Sequence, residues 1–196
     1  MAETLSGKTL VITGGTEGLG RGVAKYCAEE GAEKILITGR STERGKEAQK
    51  EIEERGTTCI FVPGDLQNEE DCRNVVREAE SAFGDIDGLV NAAGLTNRGT
   101  LEDTTVESWN LLMDVNARAP FILTQEAVRV MKKNGTKGSI VNMISDNCHG
   151  GQPFLMAYAA SKGALATLTK NLANALLEDH IRVNGICLGW MYTATE

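Results

Sequence analysis

The 196 residues predict an α/β fold, a doubly wound parallel sheet flanked by helices on both faces. Three observations carry this. Short apolar runs rich in β-branched residues recur at 8–13 (KTLVIT), 34–38 (KILIT), 59–62 (CIFV), 86–90 (IDGLV), 138–144 (GSIVNMI) and 181–187 (IRVNGIC). Stretches with helical apolar spacing separate them, and strand–helix–strand connections of this kind are right-handed, which puts helices on both sides of one sheet. No Pro- or Ser-rich linker interrupts the series, so residues 1–196 read as one domain, long enough to bury about 70% of its unfolded surface.

The first strand stops at Gly14-Gly15, and the helix over 18–30 places Leu19, Val23, Tyr26 and Cys27 on one apolar stripe before Gly31 ends it. After the second strand, the helix over 41–55 alternates in charge sign and reads as a solvated outer face with no further role. A third strand, a helix over 68–83 and the fourth strand follow. Beyond Asn91 the rhythm lengthens: a helix over 106–115, then another over 117–133 that bends where Pro120 removes a donor and closes at Gly135. The fifth strand, a long helix over 154–179 and the sixth strand complete the pattern.

Composition narrows the function. Twenty Lys+Arg against 27 Asp+Glu give a net charge of −7, and no basic tract exceeds Lys132-Lys133, so nucleic acid is not the expected partner. Small molecules or proteins are. Cys27, Cys59, Cys72, Cys148 and Cys187 are scattered, odd in number and without a CxxC pair, which speaks against a disulfide framework or a zinc site and for a reducing compartment. There is no signal-peptide pattern and no apolar run approaching the roughly 18 residues of a membrane span. The expectation is a soluble cytoplasmic protein with no membrane partner.

Tyr158 and Lys162, in the run YAASK, are four positions apart and share one helix face. A free phenol titrates at about 10, and a cation about 4 Å away at an effective dielectric near 20 contributes about 4 kcal/mol, enough to bring such a group roughly three units toward neutrality. Taken alone, the pair reads more readily as a surface tyrosine stacked along a lysine stem. Thr13 to Gly20 (TGGTEGLG) leaves the first strand and opens the first helix. There Gly14 allows the tight turn, Gly18 lets backbone approach a diphosphate, and Gly20 lets the helix pack closely, with helix-start amides facing the anion. The spacing differs from GxGxxG, and an ordinary βα turn is the plain alternative.

At the end of the second strand, an acid bonds a ribose 2′-hydroxyl whereas an arginine accommodates a 2′-phosphate. Arg40 with Ser41 therefore leans toward NADP, against which Glu17 lies beneath the same ribose and repels a 2′-phosphate. Arg40 reads equally as a surface charge near Glu43 or Glu47. Asp65 either accepts from an adenine amino group or serves as a helix N-terminal acid. Asn91-Ala92-Ala93-Gly94 ends the fourth strand at the ligand edge of such sheets, where small residues leave room for a ring system. Asn116 sits inside a helical stretch, either tolerated or disturbing the backbone and binding water. Ser145 ends the fifth strand at the same edge, with an exposed turn serine as its alternative reading.

Taken together, TGGTEGLG (13–20), NAAG (91–94), Asn116, Ser145 and YAASK (158–162) resemble the short-chain dehydrogenase/reductase family, over essentially the whole chain. The resemblance implies a Rossmann-type domain binding NADP, or NAD, and carries catalytic roles onto Asn116, Ser145, Tyr158 and Lys162. Tyr158 then protonates a carbonyl oxygen as hydride arrives, or deprotonates an alcohol in reverse, while Ser145 holds that oxygen. Lys162 assists the phenol and holds the nicotinamide ribose, and Asn116 positions a water relaying protons to it. Cofactor contacts are implied at Gly14, Thr16, Glu17, Gly18, Leu19 and Gly20 in the first loop, and at Arg40, Ser41, Asp65 and Leu66 beyond it. Asn91, Ala92, Ala93, Gly94, Tyr158, Lys162 and Thr193 complete the implied set, with no metal. Thr13 and Asn91 also resemble positions that tie the central strands together.

The pattern breaks toward the C-terminus. Leu188 stands where the family usually has proline; Thr193 keeps its place, but the family's substrate-covering segment and last strand are lacking. The expectation is therefore a chain cut short, with 181–187 left as an exposed apolar edge. Met143, His149, Pro153, Phe154, Leu155 and Trp190 line what remains of the pocket, His149 reading either as a substrate contact or as a hydrogen-bonded loop residue. The helices over 117–133 and 157–179 resemble those through which family members form homodimers and homotetramers, with Ala159, Ala160, Ala164 and Ala166 permitting close packing. The implied activity is interconversion of a secondary alcohol and a ketone. Two alternatives stand beside it: a 3-oxoacyl-carrier-protein reductase, whose acidic carrier would meet Arg129, Lys132 and Lys133, and a non-catalytic nucleotide-binding or interaction protein.

Overall fold

Every residue of Thr9–Thr13 (β1) is buried, because this strand lies inside the sheet with helices over both its faces. The structure, a computed structural model, describes residues 4–191, so Thr193 lies outside the described residues. The further strands are Lys34–Gly39 (β2), Thr58–Pro63 (β3), Gly88–Asn91 (β4), Ser139–Ser145 (β5) and Arg182–Leu188 (β6). The helices are Gly18–Glu29 (α1), Thr42–Glu53 (α2), Glu69–Phe83 (α3), Val106–Met113 (α4), Ala119–Asn134 (α5) and Met156–Ala175 (α6). All strand pairs are parallel, in the order β3-β2-β1-β4-β5-β6. The order reverses between β1 and β4, the point at which sheets of this kind form a crevice beyond the carboxyl ends of their strands.

Strand alternation builds two cores. Val11 and Leu36 pack on one face with Val75, Val76, Leu123 and Met131 of α3 and α5, while Ile12, Ile35 and Ile37 pack on the other with Ala24, Ala28, Ala48 and Ile52 of α1 and α2. Each fully buried Ile or Leu contributes about 2 kcal/mol.

Several local expectations change. The fully buried stripe of α1 is Gly20, Ala24 and Ala28; of the expected stripe, Val23 and Cys27 are half-buried against the same core, whereas Tyr26 is 62% exposed. Small residues four apart let the helix backbone approach the sheet, a preference that apolar spacing alone does not reveal. Nor is α2 merely a solvated face: Gly45, Ala48 and Ile52 are buried, and a Cβ at Gly45 would lie 2.3 Å from the Phe61 ring. Pro120 lies in the first turn of α5, directly after a backbone irregularity that its missing donor and ring favour. The distortion lies just before it, a π-turn over Asp114–Arg118 in which the Ala119 N–H reaches the Asp114 carbonyl. Helix α6 starts late because Gly99 bridges 154–156, its N–H donating to the Phe154 carbonyl at 2.9 Å and its carbonyl accepting from Met156 N–H at 3.3 Å. At the sheet edge, β6 is mostly exposed, including Ile186 and Cys187. Among the described residues, no helix is long and apolar enough to cross a membrane.

A row of polar side chains crosses this apolar sheet. Thr13 pairs in register with Asn91, and Asn91 with Asn142. The Asn91 amide donates to Asn142 Oδ1 at 2.8 Å, the Asn142 amide to Thr169 Oγ1 at 2.9 Å, and the Thr169 hydroxyl to the Leu165 carbonyl at 2.7 Å. β4, β5 and α6 are thereby locked in one register. Asn142→Ala leaves the Asn91 amide with only its 3.5 Å bond to Thr124 Oγ1 and a lone pair of Thr169 without a partner, and is expected to cost about 2 kcal/mol. An unchanged guanidinium unfolding midpoint would show that the row carries no weight.

Candidate active site

Thr13 joins the two loops of the crevice. Its hydroxyl oxygen accepts from the N–H groups of Ala92 and Ala93, both at 3.1 Å, pinning the NAAG turn against the glycine-rich turn. Gly14 has φ +66°, and a Cβ on it would lie 2.9 Å from the backbone of Ala93. One at Gly20 would lie 2.3 Å from the Gly14 carbonyl oxygen. Gly18, at φ +53°, faces open space. Thr16 is buried against Gly39, and Leu19 is half-buried. The α1 N-terminus has neither a side-chain cap nor an acid in its first turn, so its amides are available to an anion.

On the second-strand side, Arg40 is exposed and joins no ion pair among the described residues. The Ser41 hydroxyl caps α2 by accepting from Arg44 N–H at 3.4 Å. Arg44 pairs with Glu17, which answers the repulsion expected from that carboxylate. The Asp65 carboxylate accepts from Gln67 N–H at 3.1 Å, with Leu66 buried beside it.

The other side of the crevice carries the polar side chains. Asn116, fully buried in the π-turn, accepts from Leu95 N–H at 2.8 Å and donates to the Leu95 carbonyl at 2.9 Å and to Ser161 Oγ at 3.0 Å. Both its N–H donors are used, so neither is free to hold a relay water. Ser145 ends β5 and caps a 3₁₀ turn over Asp146–His149, its oxygen accepting from Asn147 N–H at 3.3 Å and from the Asn147 amide at 3.4 Å. Tyr158 and Lys162 are both buried on α6, with Lys162 Nζ 6.0 Å from the Tyr158 ring centre. That ammonium donates to the Met143 carbonyl at 2.8 Å, and burial pushes it from 10.5 down to about 8. The lysine is therefore a strand-anchored buried cation rather than a surface charge.

A dinucleotide fits these walls. A Cβ at Gly94 would lie 3.4 Å from both Asn116 Oδ1 and Lys162 Nζ, so the missing side chain leaves a space bounded by two polar groups. Of the expected pocket residues, Met143 is buried and offers its carbonyl to Lys162, Leu155 is half-buried, and His149, Pro153, Phe154 and Trp190 are exposed. The Arg98 guanidinium stands 5.7 Å from the Phe154 ring centre.

Sequence reasoning missed Asn147, Ser161 and Arg44. The Ser-x-Asn spacing of a side-chain turn signals the first, but the other two act through long-range contacts that no local pattern encodes. It also missed that two scattered cysteines, Cys148 and Cys187, meet beside His149.

Comparison with known proteins follows the same line. A family model described as short chain dehydrogenase matches residues 8–196. General stress protein 39 of Bacillus subtilis is 35% identical over 98% of this chain, which spans 66% of that relative's length. An NADP-dependent (R)-specific alcohol dehydrogenase of Lentilactobacillus kefiri is 39% identical over 98% of the chain, corresponding to 77% of its own. A short chain dehydrogenase from Burkholderia cenocepacia, solved in complex with NADP, superposes with a TM-score of 0.93 at 34% identity, covering 98% of this chain and 78% of that one. Agreement in both sequence and backbone along nearly the full length reflects common descent, and this chain belongs to the short-chain dehydrogenase/reductase family of NAD(P)-dependent oxidoreductases.

Proposed function

We propose that the protein is an NADP(H)-dependent oxidoreductase interconverting a secondary alcohol and a ketone. The observation that carries this reading is the burial of Tyr158 and Lys162 on one helix face, with Lys162 anchored to the strand that ends in Ser145. The relative named as an NADP-dependent alcohol dehydrogenase supports both cofactor and substrate class. When bound, NADP(H) supplies or accepts the hydride.

The residues of this chain do the rest. The Tyr158 hydroxyl gives its proton to the carbonyl oxygen in reduction and recovers it in oxidation. Ser145 accepts twice from Asn147, which turns its own hydroxyl proton toward the same substrate oxygen. Lys162, a cation below pH about 8, stabilises negative charge developing at the phenol. Asn116 acts by position, joining the Leu95 backbone to Ser161 on α6. Arg40 meets the 2′-phosphate, and the Arg44–Glu17 pair keeps that site from being acidic. NAD is the weaker cofactor on this reading.

Exposed Val106, Trp109 and Phe121 on α4 and α5 support assembly into a homodimer or homotetramer. A cytoplasmic location accords with the free thiols. The acidic-carrier alternative loses support because its three cations are engaged: Arg129 with Glu80 and Glu126, Lys132 with Asp179, and Lys133 with Glu80. Arg129 and Lys133 hold the Glu80 carboxyl down to about 2.

Tyr158→Phe is expected to lower kcat/KM about 100- to 10,000-fold while NADPH affinity stays within about threefold. Undiminished turnover would overturn the mechanism, and a chain inactive before mutation would favour a binding role. Arg40→Ala is expected to weaken NADPH roughly tenfold and leave NADH unchanged, read by nicotinamide fluorescence. Equal loss for both would remove Arg40 as the 2′-phosphate contact.

Lys162 gives a third expectation. Because burial lowers its value from 10.5 to about 8, the unfolded chain binds more protons between those pH values. The stability tied to the neutral amine is complete above 10.5 and lost as pH falls to about 8. Lys162→Met has no charge to bury. It should gain on the wild type by about 3 kcal/mol as pH is lowered from 10.5 to 8, measured by denaturant unfolding at each pH. A difference independent of pH would exclude burial of the charge as its cause.

A further inference from the structure

Beside the catalytic serine lies a cluster that the proposed reaction does not use. Cys148 and His149 belong to the 3₁₀ turn that follows β5, and Cys187 lies near the end of β6. In the parallel register Cys187 sits opposite Ile144, and Leu188 opposite Ser145. Capping by Ser145 folds the turn back toward this strand pair, bringing the Cys148 thiol beside Cys187. The two sulfurs and an imidazole nitrogen of His149 all lie within 4.8 Å of one another.

We infer that Cys148, His149 and Cys187 form a binding site for a single zinc ion, three protein ligands with a fourth position open to water. Tetrahedral zinc, with Zn–S of about 2.3 Å and Zn–N of about 2.0 Å, needs ligand atoms roughly 3.5–3.8 Å apart. Side-chain rotation closes the remaining gap, since His149 and Cys187 are exposed and Cys148 is half-buried. Both thiols are free. Two thiolates and an imidazole select a borderline-soft cation over magnesium or calcium. Binding replaces the thiol protons with metal–sulfur bonds and releases those protons to solvent. The Asp146 carboxylate adds negative potential at Cys148, opposed by the more weakly acting Lys170 ammonium. A bound ion would clamp the turn carrying Asn147, which orients Ser145, onto β6.

The test is titration of the reduced, metal-free chain with Co²⁺, which reports thiolate ligation by absorption and does not depend on turnover. One equivalent is expected to produce a near-ultraviolet thiolate-to-cobalt band and the strong visible bands of tetrahedral cobalt, both abolished by stoichiometric Zn²⁺. Cys148→Ser and Cys187→Ser should each remove about half or more of the charge-transfer intensity, and His149→Ala should weaken Zn²⁺ at least about tenfold against a competing chelator. Cys27→Ser, outside the cluster, should change neither. Absence of the band at saturating cobalt, or its survival at full intensity in the Cys148→Ser, Cys187→Ser double variant, would overturn the site.

Discussion

The hydrogen bonds running from Asn91 through Asn142 to Thr169, beside the bonds by which Thr13 holds the Ala92 and Ala93 amides, are the constraint on which the rest of the molecule depends. An apolar sheet gains most of its stability from burial, and a strand that is apolar on both faces can satisfy burial in more than one register. Polar groups inside it are not indifferent to register, because an unpaired amide in that environment is costly. Pairing each to the next therefore selects one register. That register sets Thr13 against the Ala92 and Ala93 amides, and so fixes how closely the glycine-rich turn approaches the NAAG turn. It also reaches α6 through Thr169, placing the helix that carries Tyr158 and Lys162. Positional accuracy at the site is thus a property of the sheet interior.

The side of the crevice that carries Tyr158 and Lys162 runs against stability. Lys162 is buried deeply enough to lose much of its basicity, and its anchor is a single backbone carbonyl on β5. A cation in such a place destabilises the fold, yet its field acts at short range in a low-dielectric setting. The cofactor side is arranged differently. There Glu17 and Arg44 are half-exposed, and their pairing matters less for stability than for the sign of the potential near Arg40. One half of the crevice works through buried charge, the other through solvated charge.

Backbone irregularity concentrates beside the site. The π-turn over Asp114–Arg118 lies where Asn116 must reach both Leu95 and Ser161. A regular helix through this segment would rotate that side chain away from one of its partners, since each extra residue per turn changes its direction. The 3₁₀ turn after β5 does the same for Ser145, which serves at once as strand end and helix cap, and as the reactive hydroxyl of the proposed mechanism. Gathering those roles on one residue leaves little freedom in the following turn, where the two thiols meet.

By itself the sequence determined the alternation of strands and helices, the position of the crevice and the candidate reactive residues. Periods of two and 3.6 residues and the glycine spacing are local properties that survive without a partner. Tertiary structure alone decided which residues of α1 lie deepest, because Gly20, Ala24 and Ala28, beside the half-buried Val23 and Cys27, are chosen by the distance to the sheet rather than by hydrophobicity. It likewise decided that Asn116 spends its amide on Leu95 and Ser161, that Arg44 neutralises Glu17, and that Cys148 meets Cys187. Each of these joins residues far apart in the chain. Their proximity follows from strand order and register, which are set by the whole of the packed sheet and not by any local stretch.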